Sequence, residues 1–266
     1  MNVQRTYTIS KNMKNNVTGE SLLEYTKQRF VAVLDIMGFK KIVESNQASV
    51  VYSKLKNICD MAIDAQKYFK LHFSIFSDSI FLVTDDDSQE SFEDIVIAAS
   101  QFMRFMKQGI AINGAIAYGN VTYDQERNIV FGRPINEAHL CQESLFCYSL
   151  VLMDSVINRI SSYTENIDFL NKSDVILEQT PTYIKEDKGW KIIDYAIINW
   201  CEFYCTSNPN APFEEQMSEI RNSMAEFYMK AHGNNRVICY IKHTELMLKD
   251  WFDSTNSTNK WELLNS

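Results

Sequence analysis

One stretch limits the possible folds more than any other: Phe30-Val-Ala-Val-Leu-Asp35-Ile-Met, an apolar run broken by a single carboxylate. Apolar residues that do not alternate with polar ones, over a strand's length and stopped by Gly38, predict a strand covered on both faces. Such strands belong to α/β sheets. A carboxylate inside the run is expensive to bury unless a cation or ligand meets it. Open α/β sheets bind ligands at strand ends, which is where Asp35 sits.

About thirty residues after Gly38 repeat apolar side chains at three- and four-residue steps (Ile42, Val43, Val50, Val51, Leu55, Ile58, Met61), as a helix packed on a sheet does. Leu71–Phe76 and Ser79–Thr84 read as two strands around a Ser77-Asp78 turn. A second helix is predicted over 89–107. The glycine-bearing segment 109–119 follows as a strand, since its glycines would weaken a helix. After a hairpin or loop over 120–130, Pro134 opens a helix to about 146, where a missing N–H costs least. A strand over 149–153 and a short helix near 154–163 come next. Residues 164–188 read as polar and irregular, 189–195 as a late strand, and 213–232 and 236–252 as helices after the Asn208–Pro212 turn. The organisation expected is a polar arm (1–27), an α/β domain (28–160) and a C-terminal elaboration (161–266) packed on that domain, in one α/β (α+β) fold.

Charge narrows the function. Twenty-six basic against 34 acidic residues give a net charge of −8, which makes a poor nucleic-acid binder. A polyanionic small molecule can still bind where metal ions bring the positive charge. None of the six cysteines (59, 141, 147, 201, 205, 239) has CxxC spacing, and Cys201 and Cys205, four apart on an expected helix, need no metal. The expectation is a cytoplasmic protein with reduced thiols and no membrane segment: the first twenty residues are polar and the longest apolar runs are strand-sized.

Two aspartates stand apart from the other acids, Asp35 at a buried strand end and Asp78 at a hairpin tip. Taken singly, Asp35 could be a helix cap and Asp78 a turn residue. If hairpin 71–84 pairs beside strand 30–36, both carboxylates meet on one rim. With no Lys or Arg inside either motif, that arrangement suits divalent metal ions.

Here the sequence resembles a family. FVAVLDIMGF (30–39) and FSDSIF (76–81) look like the two metal motifs of class III nucleotide cyclases, and strand 109–119 with FGRPINEA (131–138) is similar to the later part of that domain. KGWKIIDY (188–195) and CYIKHTELMLKDWFD (239–253) look closest to the pyrimidine cyclases of the bacterial Pycsar anti-phage system. The resemblance implies a ferredoxin-type core sheet with packed helices and a C-terminal helical elaboration. It also implies a homodimer with shared sites and a separate effector protein that responds to the cyclic nucleotide. Asp35, Asp78 and the backbone carbonyl of Ile36 would hold two Mn²⁺ or Mg²⁺ ions for phosphoryl transfer. Gly38, Phe39 and Lys40 would meet phosphates at a helix start. Asn136 matches the asparagine that orients the ribose.

The base-reading positions depart from the purine cyclases: Ser74 and Ile129 stand where adenylate cyclases carry lysine and aspartate, and guanylate cyclases glutamate and cysteine. Isoleucine accepts no hydrogen bond, so a pyrimidine is expected, with Tyr52 and Asn113 as its contacts. Tyr52 could equally be packing on an amphipathic helix. An asparagine both donates and accepts, so Asn113 suits uracil or cytosine. UTP leads, with CTP, a purine or a silent binding domain as alternatives. Leu140 replaces the arginine expected four residues after Asn136, and Arg133 is a weak stand-in for it.

Overall fold

The computed structural model describes residues 25–127, 129–163, 175–201, 213–231 and 233–254. Residues 1–24 of the expected N-terminal arm, Cys205, the Asn208–Pro212 turn and part of the segment from 164 lie outside them, while Thr26 and Lys27, expected in the arm, belong to the first strand.

Among the described residues, eight strands form one mixed sheet, and seven α-helices pack on it. The buried run becomes β1 (Thr26–Ile36), whose Phe30–Leu34 are inaccessible to solvent. The expected helical stretch is two helices, α1 (Phe39–Ser45) and α2 (Ala48–Ala65). Hairpin strands β2 (Leu71–Phe76) and β3 (Ser79–Thr84) turn as expected, with Ser77 in the left-handed region at φ 58°. Helix α3 (Gln89–Met103), capped by the Ser88 side chain, continues as a 3₁₀ turn. Strand β4 is longer than expected, Ile112–Asp124, and pairs with a short β5 (Ile129–Phe131). Helix α4 (Arg133–Ser144), β6 (Leu150–Leu152) and α5 (Asp154–Ile160) complete the first part.

The order β2-β3-β1-β4, antiparallel throughout, is the split β-α-β core. Beyond it lie β6, parallel to β4, then β8 (Gly189–Ile198) and β7 (Ile176–Glu186). The segment read as irregular therefore contains a strand. It was hidden because Pro181 removes a ladder donor and a bulge at Gln179, with φ 51°, breaks the two-residue period. An edge position tolerates both faults. The C-terminal part is thus not purely helical: a hairpin joins the same sheet, followed by α6 (Phe213–Lys230) and α7 (Asn235–Ser254).

Strand alternation assigns the faces. The Phe30 ring meets Phe92 of α3, and Ile36 packs with Leu55 and Ile58 of α2, so the Phe30/Ala32/Leu34/Ile36 face carries α2 and α3. The other face, with Val31, Val33 and Asp35, carries α4. Gly114 is required by closeness: a Cβ there would collide with a Leu34 methyl and lie 2.7 Å from the Val33 carbonyl. Helix α7 grips the chain between α4 and β6, where Tyr240 donates to the Leu145 carbonyl (2.9 Å) and Thr244 Oγ1 accepts from the Tyr148 amide (2.8 Å).

Candidate active site

Pairing places Asp35 opposite Ser79 on one side and Asn113 on the other. The Ile36 amide donates to the Asp78 carbonyl at 2.9 Å, which ties the hairpin tip to the end of β1. The convergence expected from sequence is therefore present: both aspartates stand at one strand end. Among the described residues neither carboxylate has an ion-pair or hydrogen-bond partner. Burial first, then the charge of Asp78 and to a smaller extent Glu143, push the Asp35 carboxyl up to about 6 against the opposing charges of Lys185 and His139. A half-buried carboxylate beside a second one, with no bonded cation, suits a divalent ion. No group of three or more His, Cys, Asp or Glu able to hold a metal occurs among the described residues. A pair of carboxylates is nonetheless enough for Mg²⁺-like ions whose remaining ligands are water and substrate phosphate.

Gly38, at φ 71°, reverses the chain after β1 and starts α1, which leaves the first amides of that helix without intrahelical acceptors. Phe39 is half-buried, and Lys40 is exposed and pairs loosely with Glu44 at 3.8 Å.

The other expected residues are not all gathered here. Asn113 is fully buried; its Oδ1 accepts from Gln142 Nε2 of α4 at 3.2 Å, and its Nδ2 has no partner among the described residues. It is paired in register with Asp35 of its own chain, and Gln142 of α4 covers it. Tyr52 is 68% exposed on α2, across the sheet from Asn113, so it is not core packing. Asn136 is exposed on α4, and Leu140, one turn on, is 64% exposed. Arg133 is exposed and bound to Glu137. Ser74 pairs with Phe81 inside the hairpin, and Ile129 is exposed on β5.

Sequence reasoning missed Lys185. From β7 its Nζ donates to the Glu143 carbonyl at 2.7 Å and lies 5.5 Å from the Tyr240 ring centre. Burial lowers its pKa, and Asp35 raises it. Its place in a strand masked by Pro181 left no periodic signal to find it.

No family model and no curated protein sequence matches the chain. Solved structures do. The catalytic core of a rhodopsin-guanylyl cyclase with converted specificity, in complex with ATPαS, superposes with a TM-score of 0.50 at 16% identity, over 65% of this chain and 95% of that one. The fold is that of class III nucleotide cyclase catalytic domains. Looser superpositions are found with the guanylate cyclase domain of RhGC from Catenaria anguillulae in complex with GTP (TM-score 0.48, 17% identity, 64% and 96% covered). The adenylyl cyclase CyaB from P. aeruginosa is similar at a comparable level (0.46, 18%, 65% and 94%). Roughly a third of this chain lies outside the first match. The described residues include no helix long and apolar enough to cross a membrane.

Proposed function

We propose that the chain is a nucleotide cyclase that converts UTP to 3′,5′-cyclic UMP and pyrophosphate, as an antiviral second messenger read by a separate effector. The observation that carries this reading is the convergence of Asp35 and Asp78 on one strand end, with no ion-pair partner for either among the described residues. Two divalent ions, Mn²⁺ or Mg²⁺, held there with the Ile36 carbonyl would supply Lewis acidity toward the 3′-hydroxyl and the phosphates. In the reaction the 3′-oxygen bonds to the α-phosphorus, the bond from that phosphorus to the β-phosphate oxygen breaks, pyrophosphate leaves with the electron pair, and the hydroxyl proton passes to solvent.

The chain's own residues divide the remaining work. Amides after Gly38 and the Lys40 ammonium meet phosphate oxygens, and Asn136 orients the ribose. Asn113 holds its place beside Asp35 through Gln142 and is the pyrimidine contact only when α4 yields. Ser74 and Ile129 offer no purine-reading pair, which favours a pyrimidine; UTP stands ahead of CTP.

A homodimer fits two exposed apolar patches, Val43, Val50 and Tyr52 on α1–α2 and Ile129, Phe131 and Leu140 on β5–α4. A two-fold axis that sets one against the other would bring Tyr52 and Asn136 of different subunits to shared sites.

Pyrophosphate release from UTP with Mn²⁺, measured for wild type, Asp35→Ala and Asp78→Ala, tests the reading. Turnover by wild type and its loss in both variants supports it; release that survives in either variant refutes the two-carboxylate site.

A further inference from the structure

A cavity of about 720 Å³ opens where the C-terminal helices meet the start of α1. Gly38 and Lys41 line one wall, Lys230 of α6 and Arg236 of α7 another, and Tyr148 and Tyr240 part of the rest. No carboxylate lines it among the described residues, although the chain carries a net charge of −8. All three cations are exposed; Lys230 pairs with Glu226 at 2.9 Å, while Lys41 and Arg236 have no carboxylate in ion-pair range among the described residues. The cavity starts at Gly38, three residues after Asp35, and Tyr240, which also lines it, feels the charges of both Asp35 and Arg236. A concave, cation-lined, carboxylate-free recess beside two carboxylates separates a metal side from an anion side.

We infer that Lys230 and Arg236, with Lys41, form the seat of the nucleotide's polyphosphate, so that the two C-terminal helices supply the positive charge missing at Leu140. The inference rests on the cyclase reading and names the residues that steady the departing pyrophosphate. Charge that builds on the leaving oxygens is met by fixed cations from α6 and α7 rather than from α4. It also gives the C-terminal part a task in the reaction.

Calorimetry with inorganic pyrophosphate alone, in metal-free buffer, tests the seat without turnover. Wild type should bind saturably and more weakly as salt rises. Lys230→Ala and Arg236→Ala should each weaken binding by about five- to tenfold, with the double variant near the product, and Arg236→Lys should recover most of the loss. Lys56→Ala, a lysine on α2 bound to Asp60, should bind as wild type does. UTP should displace pyrophosphate and uridine should not, which assigns the seat to a triphosphate. With UTP as substrate, Arg236→Ala should lower kcat/KM by a similar factor.

No saturable binding by wild type, or equal binding by all variants, overturns the seat even where UTP is cyclised. Binding that depends on Lys230 and Arg236 in a protein that cyclises no nucleotide upholds the seat and refutes the cyclase reading instead.

Discussion

The Ile36 amide donates to the Asp78 carbonyl across 2.9 Å, a bond between a central strand and a hairpin tip more than forty residues away in sequence. It joins the two candidate metal-binding carboxylates through the backbone, so neither side chain has to be spent on holding the other in place. Replacing either carboxylate should then leave the architecture intact. Asp35→Asn and Asp78→Asn are expected to keep wild-type circular dichroism and to lose at least about a hundredfold in turnover. Chelation by EDTA should reproduce the loss, and added Mn²⁺ should reverse it for wild type only.

Titration of Asp35 gives a second expectation. Its carboxyl is pushed up to about 6, first by burial and then by Asp78. A raised value favours the folded state fully below the unfolded value of about 4, and that advantage disappears as pH rises through about 6. Thermal melts of metal-free wild type should thus lose stability from this group between pH 4 and 6.5, and Asp35→Asn should remove that part of the slope. Mn²⁺ affinity should run the other way and fall below pH 6, because a protonated carboxyl is a poor ligand.

Much of this was legible from sequence, for identifiable reasons. Strand β1 and hairpin β2–β3 announce themselves because an unbroken apolar run and a two-residue turn are local patterns, and the approach of Asp78 to the Asp35 end of β1 follows once β3 pairs with β1. Strand β7 was hidden by Pro181 and the bulge at Gln179. Lys185 comes within reach of the Asp35 charge, and Arg236 lines the cavity, from distant chain segments, and no local pattern reports that. Nor could spacing tell that Gln142, a turn and a half after Asn136, buries Asn113.

That burial predicts a stability effect. Asn113→Ala strands the Gln142 amide under α4 and should cost about 1–3 kcal/mol in urea unfolding. A double-mutant cycle with Gln142→Ala should show a coupling of about 0.5 kcal/mol or more. Turnover of the preferred pyrimidine should fall about ten- to a hundredfold with no gain of ATP activity. An Asn113→Ala protein as stable as wild type would mean that the contact is idle.

The apolar patches predict association. Leu140→Arg and Tyr52→Glu should each shift sedimentation from dimer toward monomer. Mixing inactive Asp35→Ala with inactive Asn136→Ala should restore activity, since one of the two sites in a mixed dimer would be whole. Subunit exchange without recovery would argue that each site lies within one chain.

The most direct measurement is a single incubation of purified protein with equimolar ATP, GTP, CTP and UTP and Mn²⁺, with products identified by mass. The account predicts 3′,5′-cyclic UMP as the leading product, matched by pyrophosphate and absent from Asp35→Ala. Cyclic AMP or cyclic GMP formed faster than either pyrimidine product would contradict the base assignment, and the absence of any cyclic nucleotide would contradict the function itself.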